Sequence, residues 1–209
     1  MRRVLLSGGI AGPVLFTLVW LVEQSVRPGY QPSRHWISLL SLTDAGWIQI
    51  AAFLVSGTLI AAFGRGLRAA FPDGPGSVWG PRLVTASGVA LVAGGVFTID
   101  PGLGYPPGTE AAITWHGVLH NIAGPVCFFA IAAAAIVYAR RFARPFALTC
   151  GITTLVGWAA AGVLAGLDYA GTWRPAPAGL AERVSLVAGF AWTVYLAVKA
   201  RAQVPAVTR

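Results

Sequence analysis

Six long apolar runs decide what this chain can fold into: residues 4–22, 47–63, 83–99, 122–138 (extending back to Trp115), 145–165 and 184–198. A hydrocarbon core about 30 Å thick needs ~20 mostly apolar residues per helix. No soluble core accounts for six such runs in 209 residues. Only 11% of the residues are charged, against about 25% in an ordinary soluble domain, and the mean hydropathy is +0.69. The expectation is an all-α fold of six transmembrane helices, occupying residues 1–209 as one domain, with little chain left for anything else.

The pI of about 10.5 would suit a nucleic-acid binder, but the distribution of charge argues against one. With the N-terminus placed in the cytoplasm, the inner side holds Arg2, Arg3, Arg65, Arg68, Arg82, Arg140, Arg141, Arg144, Lys199, Arg201 and Arg209, which is 11 of the 15 basic residues. Arg27, Arg34, Arg174 and Arg183 fall outside. This is the positive-inside pattern. It predicts cytoplasmic termini in a multi-pass protein of the cell membrane. The partner it implies for the basic charge is anionic lipid rather than nucleic acid. Of the acidic residues only Asp73 falls inside. The segment 1–22 has an Arg pair and an apolar stretch, but no small-x-small site follows at "VEQSVRPGY". It reads as a retained first helix and not a cleaved signal.

The connections differ in kind. "GRGLRAAFPDGPGSVWGPR" and "ARRFARP" are basic turns. In the first long outer connection, "RHWISLLSL" (34–42) is apolar but too short to span. It is expected to lie on the membrane surface or re-enter partly, with His35 at the outer face. Small residues recur at four-residue spacing: Ala86, Ala90 and Gly94 in the third run, and Gly157, Ala161 and Ala165 in the fifth. Such faces let helix backbones approach closely. Trp36, Trp47, Trp79, Trp115 and Trp173 fall near the ends of the runs, as an aromatic belt would. Cys127 and Cys150 differ in depth by roughly 9 Å at 1.5 Å per residue. Two small buried thiols are therefore expected rather than a disulfide.

Ionisable residues gather toward one side. They are His35, Asp100, His116, His120, Glu182 and Arg183. His116 and His120 share a helix face about 6 Å apart along the axis. Two imidazoles so placed can hold a transition metal such as zinc. The sequence reads H-G-V-L-H, so the general base of an H-E-x-x-H protease is missing. Thr114 is a plausible N-cap, and the helix dipole then favours neutral His116, the ligating form. His35 is a candidate third ligand, and Asp100 a fourth ligand or a base that activates water. The alternative is that the histidines only hydrogen-bond neighbouring helices. Asp100 ends one helix and Arg183 starts another, each misplaced for its own dipole. An Asp100–Arg183 bridge would offset both, while Glu182 sits favourably at a helix N-terminus.

"YQPSRHWISLLS" after the first run, "GGVFTIDP" closing the third, "HGVLHNIAG" opening the fourth and "GLAERVSLVAGFAWTVYLAVKA" as the last helix extend over nearly the whole chain. In that order they resemble an uncharacterised family of bacterial six-helix membrane proteins, domain of unknown function 998. The resemblance implies a six-helix fold and a membrane location, with no settled activity. That family usually has Ile-Ser-Asp-Leu where this chain has Ile-Ser-Leu-Leu, so Leu39 replaces an acidic residue. A second likeness, of chemistry alone, is to the alkaline-ceramidase superfamily, with three histidines, an aspartate and a serine around zinc. His35, His116, His120, Asp100 and Ser38 are the counterparts in type.

The leading functional expectation is a membrane-embedded enzyme with an outward-facing His/Asp site acting on a lipid or another hydrophobic molecule. His116, His120 and His35 would be metal ligands and Asp100 the group that orients or activates water. Two alternatives stand beside it. One is a non-catalytic lipid-binding accessory or small transporter component with a structural polar cluster. The other is an isoprenoid-handling enzyme in which Asp100 donates a proton. A haem between His35 and one histidine of the fourth run is a further arrangement these residues allow.

Overall fold

The computed structural model describes residues 2–204; Arg209, one of the basic residues counted on the inner side, lies outside them. Six α-helices follow in order: α1 (Arg2–Val26), α2 (Gly46–Ala70), α3 (Trp79–Val96), α4 (Trp115–Tyr138), α5 (Arg144–Tyr169) and α6 (Ala178–Gln203). A single 3-10 turn, Ile37–Ser41, interrupts the α1–α2 connection. Successive helices pack on one another, and α6 also meets α1, which closes the ring. Among the described residues there is no strand, only an isolated Gly102–Tyr105 bridge.

Five helices are long and apolar enough to cross a membrane: α1, α2, α4, α5 and α6. The chain is therefore a multi-pass membrane protein. Large apolar side chains such as Leu18, Val55, Val89, Phe129, Val156 and Val187 are exposed on all six helices. That is a surface for lipid, not water. α3 has 18 residues and is not among the five. It ends at Val96, three residues before the apolar run does, and it carries Arg82 and four glycines.

Close approach of backbones explains how the ring packs. A Cβ on Gly57 would meet the Gly88 carbonyl at 2.7 Å, and one on Gly64 the Pro81 carbonyl at 2.8 Å. The stripe that admits α2 to α3 is thus Pro81–Gly88–Gly95, on a different face from the Ala86–Ala90–Gly94 row, whose Ala86 is exposed. On α5 the expected row holds: Gly157 rests on Ser185 of α6, and Ala161 and Ala165 are buried. Van der Waals contact is the force available here, because lipid gives apolar burial little drive. Cys127 and Cys150 are both buried free thiols.

The α1–α2, α3–α4 and α5–α6 connections meet at one end of the bundle, called the far end below. The Arg34 side chain reaches Asp168, and the His35 ring reaches the Leu103 carbonyl. The other two connections meet at the opposite end, where Arg141 donates to the Asp73 carbonyl at 2.6 Å and lies over the Phe71 ring.

Candidate functional site

The segment around residues 34–42 does not lie on the surface. All five residues of its 3-10 turn are buried, and His35 is only 1% exposed. Two neighbouring side chains of α6 hold it inside. Glu182 Oε2 accepts the Ile37 N–H at 2.8 Å, which satisfies the first donor of the turn. Arg183 donates to the His35 carbonyl at 3.0 Å, the Tyr30 hydroxyl at 2.7 Å, the Gly179 carbonyl at 2.9 Å and Gln24 Oε1 at 3.1 Å, with its guanidinium over the Trp20 ring. The segment is therefore packed inside the bundle, and His35 is buried rather than exposed.

The expected Asp100–Arg183 bridge is absent. Asp100 accepts from both the backbone N–H and the hydroxyl of Thr114, each at 2.7 Å. Thr114 is the N-cap of α4, its Oγ1 accepting the Gly117 N–H at 3.2 Å. The carboxylate thus sits at the positive end of α4, which offsets its poor position after α3. Gly117 is required there, because a Cβ would collide with that carboxylate. Asp100→Asn and Arg183→Gln share no partner. Their costs in a detergent unfolding experiment are expected to add to within about 0.5 kcal/mol. A coupling well above that would mean the two groups interact.

The histidine pair has a structural task. α3 ends with carbonyls that no further turn can use. His120 Nδ1 donates to the Gly94 and Phe97 carbonyls at 2.9 and 2.8 Å, and His116 Nδ1 donates to the Thr98 carbonyl at 3.0 Å. Spacing of four places both rings against the C-terminus of α3, where imidazole donors are favourable. His35 is committed at both nitrogens: Nδ1 accepts the Gln31 N–H at 3.0 Å, and Nε2 faces the Leu103 carbonyl at 3.2 Å. That pattern requires the neutral Nε2–H tautomer. Among the described residues no three His, Cys, Asp or Glu side chains form a group able to hold a metal ion. The expected His35–His116–His120 zinc centre is thus not assembled, since each ring is turned to backbone groups of its own neighbourhood.

Burial takes the pKa of His35 from 6.5 down to about 4. The unfolded chain binds this proton near pH 6.5 and the folded one only near 4. Between those values the unfolded state holds more protons, so stability falls as pH drops through that window and levels off below it. His35→Gln, which retains an acceptor and a donor, is expected to flatten this limb. Thermal midpoints in detergent from pH 7 to 4 measure it. An unchanged slope in the variant would assign the limb to other groups.

Inside the far half of the ring lies a cavity of about 640 Å³. Its wall is mostly apolar: Phe16, Phe53, Leu91, Phe128, Trp158 and Leu186 contribute, as do Ile37 and Leu39 of the buried turn. Leu39 stands where the Asp of the Ile-Ser-Asp-Leu pattern would be, so that side of the wall is apolar. Ser38, Asp100, His120, Asn121 and Glu182 supply the polar part. With the proton of neutral His120 on Nδ1, its Nε2 is the lone-pair nitrogen of the ring. The exposed members of the wall are Asn121 on α4, Gly162 and Tyr169 on α5, and residues 111–113 of the α3–α4 connection. The wall is therefore exposed both along the seam of α4 and α5 and at the α3–α4 connection. Deeper along that seam Phe128 stacks on Trp158 at 4.1 Å. Nearer the far end, a Cβ on Gly162 or Gly166 would meet nothing within 4 Å.

A smaller pocket of about 290 Å³ adjoins, sharing Gly102, Ala111 and Tyr169 with the first. Its polar members are Arg34, Thr109, Asp168 and Arg174. Arg34 makes a two-point pair with Asp168 at 2.8 and 2.6 Å, and Arg174 stands 3.9 Å from the same carboxylate. The sequence reading placed Glu182 on this side without a role, and missed Trp158, Gly162 and the Arg34–Asp168 pair as members of this region. A carboxylate in an apolar helix was the signal available for Glu182 and Asp168. Nothing in the residue pattern separates Gly162 from the packing glycines.

No curated protein and no solved structure matches the sequence. Residues 10–199 match the model of the family described as Protein of unknown function (DUF998). With that match covering nearly all of its helical core, the chain belongs to the DUF998 family.

Proposed function

We propose that this chain is a six-span protein of the cell membrane, with both termini in the cytoplasm, that takes a lipid or other hydrophobic molecule from the bilayer into an outward-facing cavity. One observation carries the reading: a mostly apolar space of about 640 Å³ whose exposed wall includes Asn121 and Gly162 of two membrane helices as well as residues 111–113 of the connection beside them. Ligand sites are commonly concave, 300–1,000 Å³ in volume and apolar, with a few converging polar groups. In a soluble protein the mouth would face solvent. Here part of it lies on helices that cross the bilayer, where hydrophobic molecules dissolve. On this reading α3 also crosses, its short helix completed by Phe97–Ile99.

The test uses 11-bromoundecanol and protein in phosphatidylcholine nanodiscs, since bromine quenches indole fluorescence on contact. Trp36 and Trp158 line the cavity. Saturable quenching is expected, reduced in the Trp36→Phe/Trp158→Phe variant by more than the lost emission. Quenching that only tracks the probe's concentration in the lipid would end the reading.

A second reading, chemistry on the bound molecule, is favoured by His120. Its unprotonated Nε2 belongs to a ring that lines the cavity with Asp100 and Glu182, a set of groups suited to moving a proton. It predicts slow conversion of a bound lipid, read by mass spectrometry, that His120→Asn abolishes.

The orientation has its own measurement. Glu110→Cys is expected to react with an impermeant maleimide added to intact cells, and Asp73→Cys only after lysis. Both positions are exposed, and both native thiols are buried. The reverse pattern would place the cavity on the cytoplasmic side.

A further inference from the structure

The charge-bearing side chains of the cavity wall are uneven in kind. Two carboxylates line it, Asp100 and Glu182, together with neutral His120, Asn121 and Ser38, and no lysine or arginine does. Arg183, next in sequence to Glu182, is turned away onto Tyr30, Gln24 and the His35 and Gly179 carbonyls. Glu182 spends Oε2 on the Ile37 N–H, and no other side chain or backbone donor bonds it among the described residues. A carboxylate in an apolar space takes up a proton unless charge or donors are brought to it. The Ile37 N–H and the charge of neighbouring Arg183 offset part of that cost, and a cation in the cavity would offset more.

The second observation is aromatic. Trp36 lies 5.8 Å from Trp158, and Phe128 stacks on the same indole at 4.1 Å. All three line the cavity with Glu182. Ring faces attract cations, most of all when water is excluded, and this is how quaternary ammonium groups are commonly held. A carboxylate and electron-rich aromatic rings in one wall favour the same sign of charge.

Building on the cavity reading above, we propose that the ligand of this cavity is a cationic amphiphile: a single ammonium head, protonated amine or quaternary, on a hydrophobic tail. The head sits against Glu182 and the tail lies along the apolar wall. An anionic head has no partner here. The guanidinium of Arg34 in the adjoining pocket is already paired with Asp168.

The experiment compares three probes of one chain length in phosphatidylcholine nanodiscs: 11-bromoundecyltrimethylammonium, 11-bromoundecanol and 11-bromoundecanoate. Affinities from tryptophan quenching are referred to each probe's concentration in the lipid, so that partitioning cancels. The ammonium probe is expected to bind at least about 10-fold more tightly than the carboxylate, a difference of about 1.4 kcal/mol, with the alcohol between them. Glu182→Gln retains the acceptor for Ile37 and is expected to bring the ammonium-to-carboxylate ratio down to within about 3-fold. Equal binding of the three probes would overturn the head-group assignment while leaving the cavity reading in place. So would an unchanged ratio in Glu182→Gln. Preference for the carboxylate would move the head to the Arg34–Arg174 pocket. Absence of saturable quenching by any probe would remove the cavity reading and this assignment together. The wild-type ratio needs no variant, so the assignment is decided even if Glu182→Gln fails to fold.

Discussion

Replacing Arg34 with alanine is expected to cost the folded protein about 3–5 kcal/mol, the usual penalty for stranding one member of a buried ion pair. Asp168 is 1% exposed and sits in the last turn of α5, where the negative end of the helix dipole already opposes a carboxylate. Arg34 meets it through two N–H groups at 2.8 and 2.6 Å. Without them the carboxylate retains the Ala176 N–H at 2.8 Å and the Arg174 guanidinium at 3.9 Å, whose side chain is largely exposed. The damage would spread, because this pair ties the α1–α2 connection to the end of α5. The same connection also accepts the N–H groups of Gly179 and Leu180 from the start of α6. Arg34→Lys retains the charge but not the fork, and is expected to recover only part of the loss. Equilibrium unfolding in mixed micelles gives the numbers. The double variant Arg34→Ala/Asp168→Asn should lose less than the sum of the singles. An Arg34→Ala cost under about 1 kcal/mol, or strict additivity, would show that the pair is not a buried tie.

The helices were legible because lipid leaves the backbone no other way to satisfy its polar groups. Thr114 was legible as an N-cap because capping is local. What the ionisable residues meet was not legible, for a reason visible at Asp100. Dipole arguments require that its charge be offset, and they name the kind of partner without naming the partner. Arg183 satisfied the rule in principle; the N-terminus of α4, 14 residues away along the chain, satisfies it in fact. A partner delivered by a short connection wins over one that two helices must bring. The histidines repeat the lesson. Spacing of four correctly put His116 and His120 on one face, but the facing groups are the carbonyls left bare where α3 stops at Val96. The sequence run continues to Ile99, so nothing in it marks those carbonyls as free. The segment 34–42 was ambiguous for a third reason. Its apolar residues suit a membrane surface or an interior equally, and Glu182 and Arg183, nearly 150 residues later, decide for the interior.

The cavity mouth depends on a side chain that is absent, which makes Gly162 the position of greatest leverage on binding. A glycine on a membrane helix normally marks close contact, as Gly157 does against Ser185. Five residues on, a Cβ at Gly162 would meet nothing within 4 Å, yet the residue lines the cavity. Gly162→Leu and Gly162→Trp should therefore fold. They should even gain stability, because glycine in a helix interior costs about 1 kcal/mol relative to good helix formers. The added side chain enters open space at the exposed edge of the cavity, which Asn121 and Gly124 also line. Binding of 11-bromoundecanol is expected to weaken about 10-fold for leucine and about 100-fold or more for tryptophan, that is, by about 1.4 and 2.7 kcal/mol. Gly157→Leu is the contrasting variant: its side chain would enter the α5–α6 contact and destabilise the bundle. The expected signature is a midpoint that rises while affinity falls at 162, and a midpoint that falls at 157. If Gly162→Trp folds and binds the probe as tightly as the wild type does, hydrophobic molecules do not enter between α4 and α5. The cavity would then have to fill through the connection at residues 111–113, from the water side.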